Sequence, residues 1–127
     1  MSSEFEKYKA EAKERWGSTE AYSEYSEKTK DYTAEKWSNV AEGLDAIMKD
    51  FSLSMKEDNT PDGEEAQSLV KALQEYITKT SYTCTKEILN GLGQMYVCDE
   101  RFKSNIDKHG EGTAEFISKA IAIYCKR

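Results

Sequence analysis

Proline, histidine and cysteine are scarce in this chain, whose 127 residues contain 1 proline, 1 histidine and 3 cysteines. A single histidine and the lack of any cysteine pair at two-residue spacing exclude the ligand patterns of ordinary zinc fingers. The cysteines lie at positions 84, 98 and 125, and their odd number favours reduced thiols over a disulfide framework. We therefore expect no metal site, no cofactor and no disulfide scaffold.

Basic charge and long apolar runs are also missing. The chain carries 18 Lys and Arg against 24 Asp and Glu, a formal net charge of −6, which excludes the basic footprint of a nucleic-acid-binding surface. No apolar run approaches the roughly 18–20 residues that span a bilayer. The polar start Met1-Ser2-Ser3-Glu4 is unlike a signal peptide. We expect a cytoplasmic protein without membrane contact.

The residues that are present favour an all-α fold. Apolar residues make up 38% and aromatic residues 11% of the chain, which is typical of globular rather than disordered proteins. Apolar positions recur at three- and four-residue steps almost throughout, and no alternating run indicates a strand. Residues 33–127 are predicted to form a helical core. In residues 1–32 the apolar side chains are nearly all aromatic, which indicates a helical arm that packs on the core or becomes ordered over a ligand.

Capping residues predict where several helices begin. Ser, Thr and Asp at an N-cap accept a backbone N–H of the first turn, and proline is common at the first helical position. The predicted N-caps are Ser18 or Thr19, Thr33, Thr60 before Pro61, Asp99 and Thr113. The segment Thr78–Thr85 is rich in Thr and Ser, which are indifferent helix formers, and it is interpreted as a helix end, a kink or a new start.

Cys84 is the first candidate for chemistry. A helix that begins near Thr85 would place this thiol at the positive end of the helix dipole with Lys86 nearby, a setting that makes a thiol nucleophilic. The alternative is a small buried hydrophobic residue, which describes most free cysteines and is the commoner interpretation. Cys98 and Cys125 are interpreted as packing residues.

The second candidate is a set of aromatic residues concentrated in the arm and around Cys84. Tyr and Trp supply rigid apolar area with one polar tip, which suits a ligand pocket that adapts to its contents. For each residue the alternative is a helical core with tyrosines at its rim, but as a group they favour a pocket. The set comprises Trp16, Tyr22, Tyr25, Tyr32, Trp37, Tyr76, Tyr82, Tyr96 and Phe102.

Catalytic patterns are weak in this sequence. Gly91-Leu92-Gly93-Gln94 lacks the third glycine of a phosphate-binding G-x-G-x-x-G loop and lies within a helical period. Two glycines on one helix more often allow another helix or a ligand to come close. Asp99 is better explained as a cap, and His109 beside Gly110 as the residue of a turn. We predict no catalytic residue and no enzyme.

Two long segments of the chain resemble one known family. The N-terminal part of the TipAS-type antibiotic-recognition domain is similar to Glu11–Trp37, EAKERWGSTEAYSEYSEKTKDYTAEKW. Its C-terminal part is similar to Gly91–Cys125, GLGQMYVCDERFKSNIDKHGEGTAEFISKAIAIYC. The segment Tyr82-Thr83-Cys84 lies where that family carries its cysteine. The resemblance covers almost the whole chain.

The resemblance implies a small all-α domain with a globin-like arrangement of helices around a ligand cleft. Such domains usually form the effector-binding part of MerR-family transcriptional activators, or occur alone and sequester drug. Their ligands are varied antibiotics, notably thiopeptides such as thiostrepton, and in the type member a cysteine adds to a dehydroalanine of the drug. DNA contact is then expected only through an N-terminal helix-turn-helix domain that is absent from this chain.

From the resemblance and the aromatic set together, we predict an antibiotic-binding domain that captures its ligand covalently at Cys84. The predicted ligand contacts are Trp16, Tyr22, Tyr25, Trp37, Tyr76, Tyr82, Tyr96 and Phe102. The alternative is a helical protein–protein interaction module with an aromatic groove. A ligand-binding domain predicts a concave pocket and stabilisation by apolar drugs, whereas an interaction module predicts an exposed apolar patch.

Overall fold

The computed structural model describes residues 20–127, apart from the side chain of Ala21. The predicted cap at Ser18 or Thr19, the predicted ligand contact at Trp16 and most of the predicted arm lie outside these residues. Within residues 20–127 there are six α-helices and no strand, which confirms the all-α prediction. The helices are α1 Glu20–Thr29, α2 Ala34–Lys56, α3 Glu64–Thr80, α4 Lys86–Cys98, α5 Glu100–Asp107 and α6 Thr113–Lys126.

Side-chain caps begin three of these helices. Thr33 accepts the backbone N–H of Lys36 at the start of α2, and Asp99 accepts that of Arg101 at the start of α5, so both predicted caps are confirmed. Thr85 caps α4 in the same way. Because α3 ends at Thr80 and α4 begins at Lys86, the Thr-rich segment contains a helix end and a new start.

Two predicted helix starts are wrong by a few residues. Thr60 does not cap α3, because the backbone N–H of Gly63 donates to the Thr60 carbonyl and closes a turn there (3.0 Å); Gly63 then serves as the N-cap. Thr113 is the first residue inside α6 rather than its cap, which is Gly112 at φ 90°. The buried Thr113 hydroxyl donates to the Gly110 carbonyl instead. In both cases turn hydrogen bonds compete successfully with capping.

Helix α6 lies at the centre of the bundle and contacts α2, α3, α4 and α5. Its inner face carries Ile117, Ala120 and Ile121, which are fully buried. Phe116 on α6 meets Phe51 on α2 edge-on, with ring centroids 6.5 Å apart, the arrangement that aromatic quadrupoles favour. Among the described helices, none is long and apolar enough to cross a membrane.

The turn between α5 and α6 is tied to α2 through His109, as its predicted turn position allows. The His109 ring nitrogen Nε2 lies 2.9 Å from the Asp45 carboxylate, and this contact lowers the pKa of Asp45. The His109 backbone carbonyl accepts from Ser52 (2.9 Å) and from Lys56 (2.8 Å). His109 therefore has a structural role, which is to hold the α5–α6 turn against α2.

The two glycines of α4 have different surroundings. A Cβ at Gly93 would lie 3.0 Å from the Ile121 side chain, whereas a Cβ at Gly91 would meet nothing within 4 Å. Gly93 thus permits the close approach of α4 and α6 that the sequence predicted, and Gly91 does not serve this purpose.

We expect Gly91→Ala to stabilise the protein by about 0.5–1 kcal/mol, because alanine is the better helix former and the site is open. Gly93→Ala is expected to destabilise it, since overlap with Ile121 outweighs the same gain in helix propensity. Denaturant unfolding of the two variants measures both effects. Equal stabilisation by both would show that α6 can move away from α4 at little cost.

Candidate ligand-binding site

Five aromatic side chains from α1, the α1–α2 loop, the start of α2 and the α3–α4 loop form one group, here called the aromatic cluster: Tyr22, Tyr25, Tyr32, Trp37 and Tyr82. The Tyr25 ring is central, with centroid distances of 5.8 Å to Tyr22, 6.1 Å to Trp37 and 6.4 Å to Tyr82. Tyr32 meets Trp37 edge-on at 5.2 Å. All five are half-buried. The structure therefore brings together four of the predicted contact residues, Tyr22, Tyr25, Trp37 and Tyr82.

Polar side chains of α1 and of the residue Tyr32 contact the end of α3. The Lys28 ammonium donates to the Thr78 carbonyl (2.9 Å), and the Tyr32 hydroxyl donates to the Thr80 carbonyl (2.8 Å). The last carbonyls of a helix have no partner within the helix and carry partial negative charge, so both contacts are favourable there. Helix α1 thus lies against the α3–α4 loop.

Glu24 accepts two hydrogen bonds from Thr83 of the same loop. One carboxylate oxygen accepts the backbone N–H of Thr83 (2.9 Å) and the other accepts the Thr83 hydroxyl (2.8 Å). These hydrogen bonds hold the pKa of Glu24 below its usual range, because they stabilise the ionised form. On the same helix, burial and then the neighbouring Tyr22 raise the pKa of Tyr25.

Tyr76 lies on α3 and contacts α2. Its hydroxyl donates to the Val40 carbonyl of α2 (2.8 Å), and its ring passes so close to Gly43 that a Cβ there would overlap the phenol. Burial and the nearby Tyr32 raise the pKa of Tyr76. Tyr76 therefore joins α3 to α2, and a direct ligand contact by this residue stays a prediction.

Tyr96 and Phe102 contact each other at 5.7 Å on α4 and α5. Tyr96 is only 4% exposed and belongs to the hydrophobic core, with Phe102 packed against the core. This placement agrees with the core interpretation that the sequence left open for each aromatic residue. Ligand contact by these two residues stays a prediction.

Cys84 lies in the α3–α4 loop, two residues before α4. Its side chain is 3% exposed, its backbone N–H donates to the Thr78 hydroxyl, and its carbonyl accepts from Gln74. Burial, and to a smaller extent Cys125, raises the pKa of the Cys84 thiol to about 11. The predicted position beside the start of a helix is confirmed, but burial raises the pKa of the thiol, where the sequence predicted that it would be lowered.

The other two cysteines differ in exposure. Cys98 is exposed at the end of α4. Cys125 is half-buried, and its thiol contacts the Lys86 carbonyl (3.2 Å); burial raises its pKa. Within residues 20–127 no group of three or more His, Cys, Asp or Glu side chains could hold a metal ion.

Two surface depressions are lined by residues other than those of the aromatic cluster. One, of about 210 Å³, is lined by residues that include Lys86, Asn90 and Cys125. A second follows the outer face of α1 and is lined by Glu20, Ser23, Glu24, Glu27 and Lys28. No aromatic cluster residue lines either of them.

Sequence analysis missed the polar half of this site, namely Glu24, Lys28 and the backbone around Thr83. Glu24 and Thr83 are 59 residues apart, and nothing in either local sequence indicates the other. The only local signal is that Glu24 and Lys28 are four residues apart, which places them on one face of a helix with Tyr25 close by.

Comparison with known proteins decides the family. The sequence matches the TipAS antibiotic-recognition domain over residues 8–124. The chain belongs to this family. A solved structure of TipAS in complex with nosiheptide, from a thiopeptide antibiotic multidrug resistance system of Streptomyces lividans, has a TM-score of 0.85 and 35% sequence identity to this chain. The match covers 96% of this chain and 85% of that one.

Two relatives of this chain are transcriptional activators of the helix-turn-helix type. The activator mta of Bacillus subtilis is 36% identical over 118 residues, which are 93% of this chain and 45% of that protein. The activator TipA of Streptomyces coelicolor is 36% identical over 116 residues, which are 91% of this chain and 46% of that protein. The chain thus spans about half the length of the curated relatives it matches.

Proposed function

We propose that this chain is an antibiotic-binding domain that recognises thiopeptide-like compounds and acts as the effector-sensing part of a MerR-type transcriptional activator. The observation that carries the proposal is the agreement of nearly the whole fold, at a TM-score of 0.85, with a TipAS domain solved with nosiheptide. The aromatic cluster supports it, since rigid, half-buried aromatic side chains suit large heterocyclic ligands. The role is recognition, and no enzymatic reaction is proposed.

Binding takes place between the N-terminal arm, residues 1–32, and the core, residues 33–127. Trp37 and Tyr82 supply the aromatic surface of the core, while Tyr22 and Tyr25 supply that of α1. Holding α1 in one position over the core costs conformational entropy, and the apolar area that the ligand buries offsets this cost. Ligand binding therefore favours one closed arrangement of the arm over the core.

Closure of the arm would affect a DNA-binding domain joined to this one. A ligand shifts such an equilibrium only by its difference in affinity for the open and closed states. The relatives named above carry about as much chain again outside the matched region, which fits a separate helix-turn-helix part. Because a transcriptional regulator has to bind DNA, we propose a cytoplasmic location.

Covalent capture at Cys84 is a second step of the proposal. The thiol sulfur adds to the methylene carbon of a dehydroalanine, the carbon–carbon π bond breaks, and the thiol proton ends on the α-carbon. Because Cys84 is buried and its pKa is about 11, this step requires rearrangement of the α3–α4 loop when the ligand binds. Reversible binding therefore comes first and covalent addition follows slowly.

Calorimetric titration with nosiheptide and with thiostrepton tests the proposal. We expect saturable one-to-one binding and a rise in melting temperature, because a ligand that binds only the folded state stabilises it. Intact-mass analysis of the same samples tests the covalent step, with Cys84→Ser as the control. If neither drug binds and neither raises the melting temperature, the proposal is overturned and the protein-interaction alternative is favoured.

A further inference from the structure

Both backbone polar groups of Cys84 are bound by side chains of α3. The Gln74 amide nitrogen Nε2 donates to the Cys84 carbonyl (2.7 Å), and the Cys84 N–H donates to the Thr78 hydroxyl (3.0 Å). Gln74 and Thr78 are four residues apart, so they lie on one face of the helix. They hold the α3–α4 loop, residues 81–85, against α3, and in this position Cys84 is 3% exposed.

The last turn of α6 fixes the orientation of the Gln74 amide. A carbonyl only accepts hydrogen bonds, so the amide nitrogen of Gln74 has to face Cys84 and the amide oxygen has to face another donor. That oxygen, Oε1, accepts the Tyr124 hydroxyl (2.8 Å), and the neighbouring Cys125 thiol contacts the Lys86 carbonyl (3.2 Å). Tyr124, Gln74 and Cys84 thus form one chain of hydrogen bonds from α6 through α3 to the loop.

The rearrangement that exposes the Cys84 thiol has to break these contacts, because they hold the backbone of Cys84 in its buried position. All of them are partly buried, and a buried polar group that loses its partner is costly. The Gln74 contact is the shorter of the two at the Cys84 backbone, and α6 supports it through Tyr124. Gln74 is therefore the side chain on which closure of the loop most depends.

We infer that Gln74 is a positioning residue that keeps the α3–α4 loop closed over the Cys84 thiol and thereby sets the rate, but not the affinity, of thiopeptide capture. The inference rests on the proposed function and adds a control of its covalent step. In that step the sulfur bonds to the methylene carbon of a dehydroalanine, the π bond breaks, and the thiol proton passes to the α-carbon. Tyr82 of the aromatic cluster lies on the same loop, so a ligand held there is next to the segment that has to open.

Gln74→Leu tests this inference, because it removes both polar atoms and nearly keeps the size of the side chain. We expect the iodoacetamide labelling rate of Cys84 to rise about fivefold, since loss of one hydrogen bond from the closed loop increases the population of the open loop by about that factor. Gln94→Leu is the matched control, because Gln94 is an exposed glutamine of α4, and its rate is expected to stay unchanged. Peptide mapping after timed labelling measures both rates.

A merely structural role of Gln74 would raise the labelling rate only through global unfolding. The rates are therefore compared at urea concentrations that give variant and unsubstituted chain equal free energies of unfolding, and we expect the difference to persist there. Tyr124→Phe removes only the hydroxyl that orients the amide, so a smaller rise is expected, and it is the second variant if Gln74→Leu does not fold. Labelling rates of Cys84 that equal those of the unsubstituted chain at equal stability would overturn the inference.

Capture of nosiheptide, followed by intact-mass analysis over time, tests the consequence for the proposed function. We expect Gln74→Leu to form the adduct about fivefold faster. Its reversible affinity, measured by calorimetry in the Cys84→Ser background where no adduct forms, is expected to stay unchanged. Slower capture, or binding of nosiheptide by Gln74→Leu without any adduct, would overturn the inference. Faster iodoacetamide labelling together with no binding of nosiheptide or thiostrepton would overturn only the proposed function and would support Gln74 as the residue that controls access to the thiol.

Discussion

Cys84 is expected to react with iodoacetamide at least a hundredfold more slowly than an ordinary exposed cysteine at pH 8. The thiolate is the reactive form, and a pKa of about 11 in place of 9.0 lowers the thiolate fraction from about one in ten to about one in a thousand. Burial of the side chain to 3% exposure slows the reaction further. Peptide mapping after timed labelling measures the rate at each cysteine.

Cys98 is the internal control for this experiment, because it is exposed and reports the activity of the reagent in the same tube. Denatured protein gives the intrinsic rate of Cys84. Labelling of Cys84 as fast as Cys98 in the folded chain would contradict the prediction. It would also mean that the α3–α4 loop opens readily, which would make covalent capture of a drug at Cys84 faster.

Trp37→Ala is expected to lower the affinity for nosiheptide by roughly 30-fold or more, the range found for central aromatic residues at binding sites. Trp37 contacts both Tyr25 and Tyr32, so its removal takes away the part of the core surface that the ligand would share with α1. The smaller effect is expected on stability, since Trp37 is only half-buried. Calorimetric titration and thermal unfolding of the variant measure the two effects.

Leu53→Ala is the matched control for Trp37→Ala, because Leu53 is a large apolar residue of the same helix and is 47% exposed. It is expected to bind nosiheptide as the unsubstituted chain does. If Trp37→Ala binds normally but unfolds at a much lower temperature, Trp37 is a packing residue and the ligand site lies elsewhere.

The docking of α1 rests on a small number of contacts. Each aromatic pair of the cluster contributes about 0.5–1.5 kcal/mol beyond the area it buries, while ordering of a backbone residue costs about 1–2 kcal/mol. Helix α1 contributes Thr29 as its one clearly buried side chain among those described. Contacts of this kind are typical of an element whose position can change when a ligand binds.

Much of the fold followed from local sequence. The spacing of apolar residues along α2, α3 and α6 predicted helices with one buried face, and Thr33 and Asp99 predicted the starts of α2 and α5. The two errors, at Thr60 and Thr113, arose where backbone turns before the helix supplied hydrogen bonds that a side-chain cap would otherwise have made. Such turns depend on Gly63 and Gly112, whose conformations sequence alone left open.

The site was predicted less completely, because its parts are far apart in the chain. Tyr22, Tyr25 and Tyr82 were predicted as ligand contacts and do lie together. Tyr96 was predicted as a ligand contact by the same argument from aromatic residues, but it packs in the core. Aromatic type and helical spacing do not distinguish these two outcomes. The distinction depends on which face of each helix meets a neighbour.

The sequence by itself determined the helical class, the family and the presence of a cysteine at the start of α4, since periodicity, capping and segment similarity are local properties. Only the tertiary structure decided that Cys84 is buried and protonated, that Tyr25 covers Trp37, and that Glu24 occupies the donors of Thr83. The reason is that burial and long-range hydrogen bonds arise from the packing of helices whose contacts join residues up to 59 positions apart at this site.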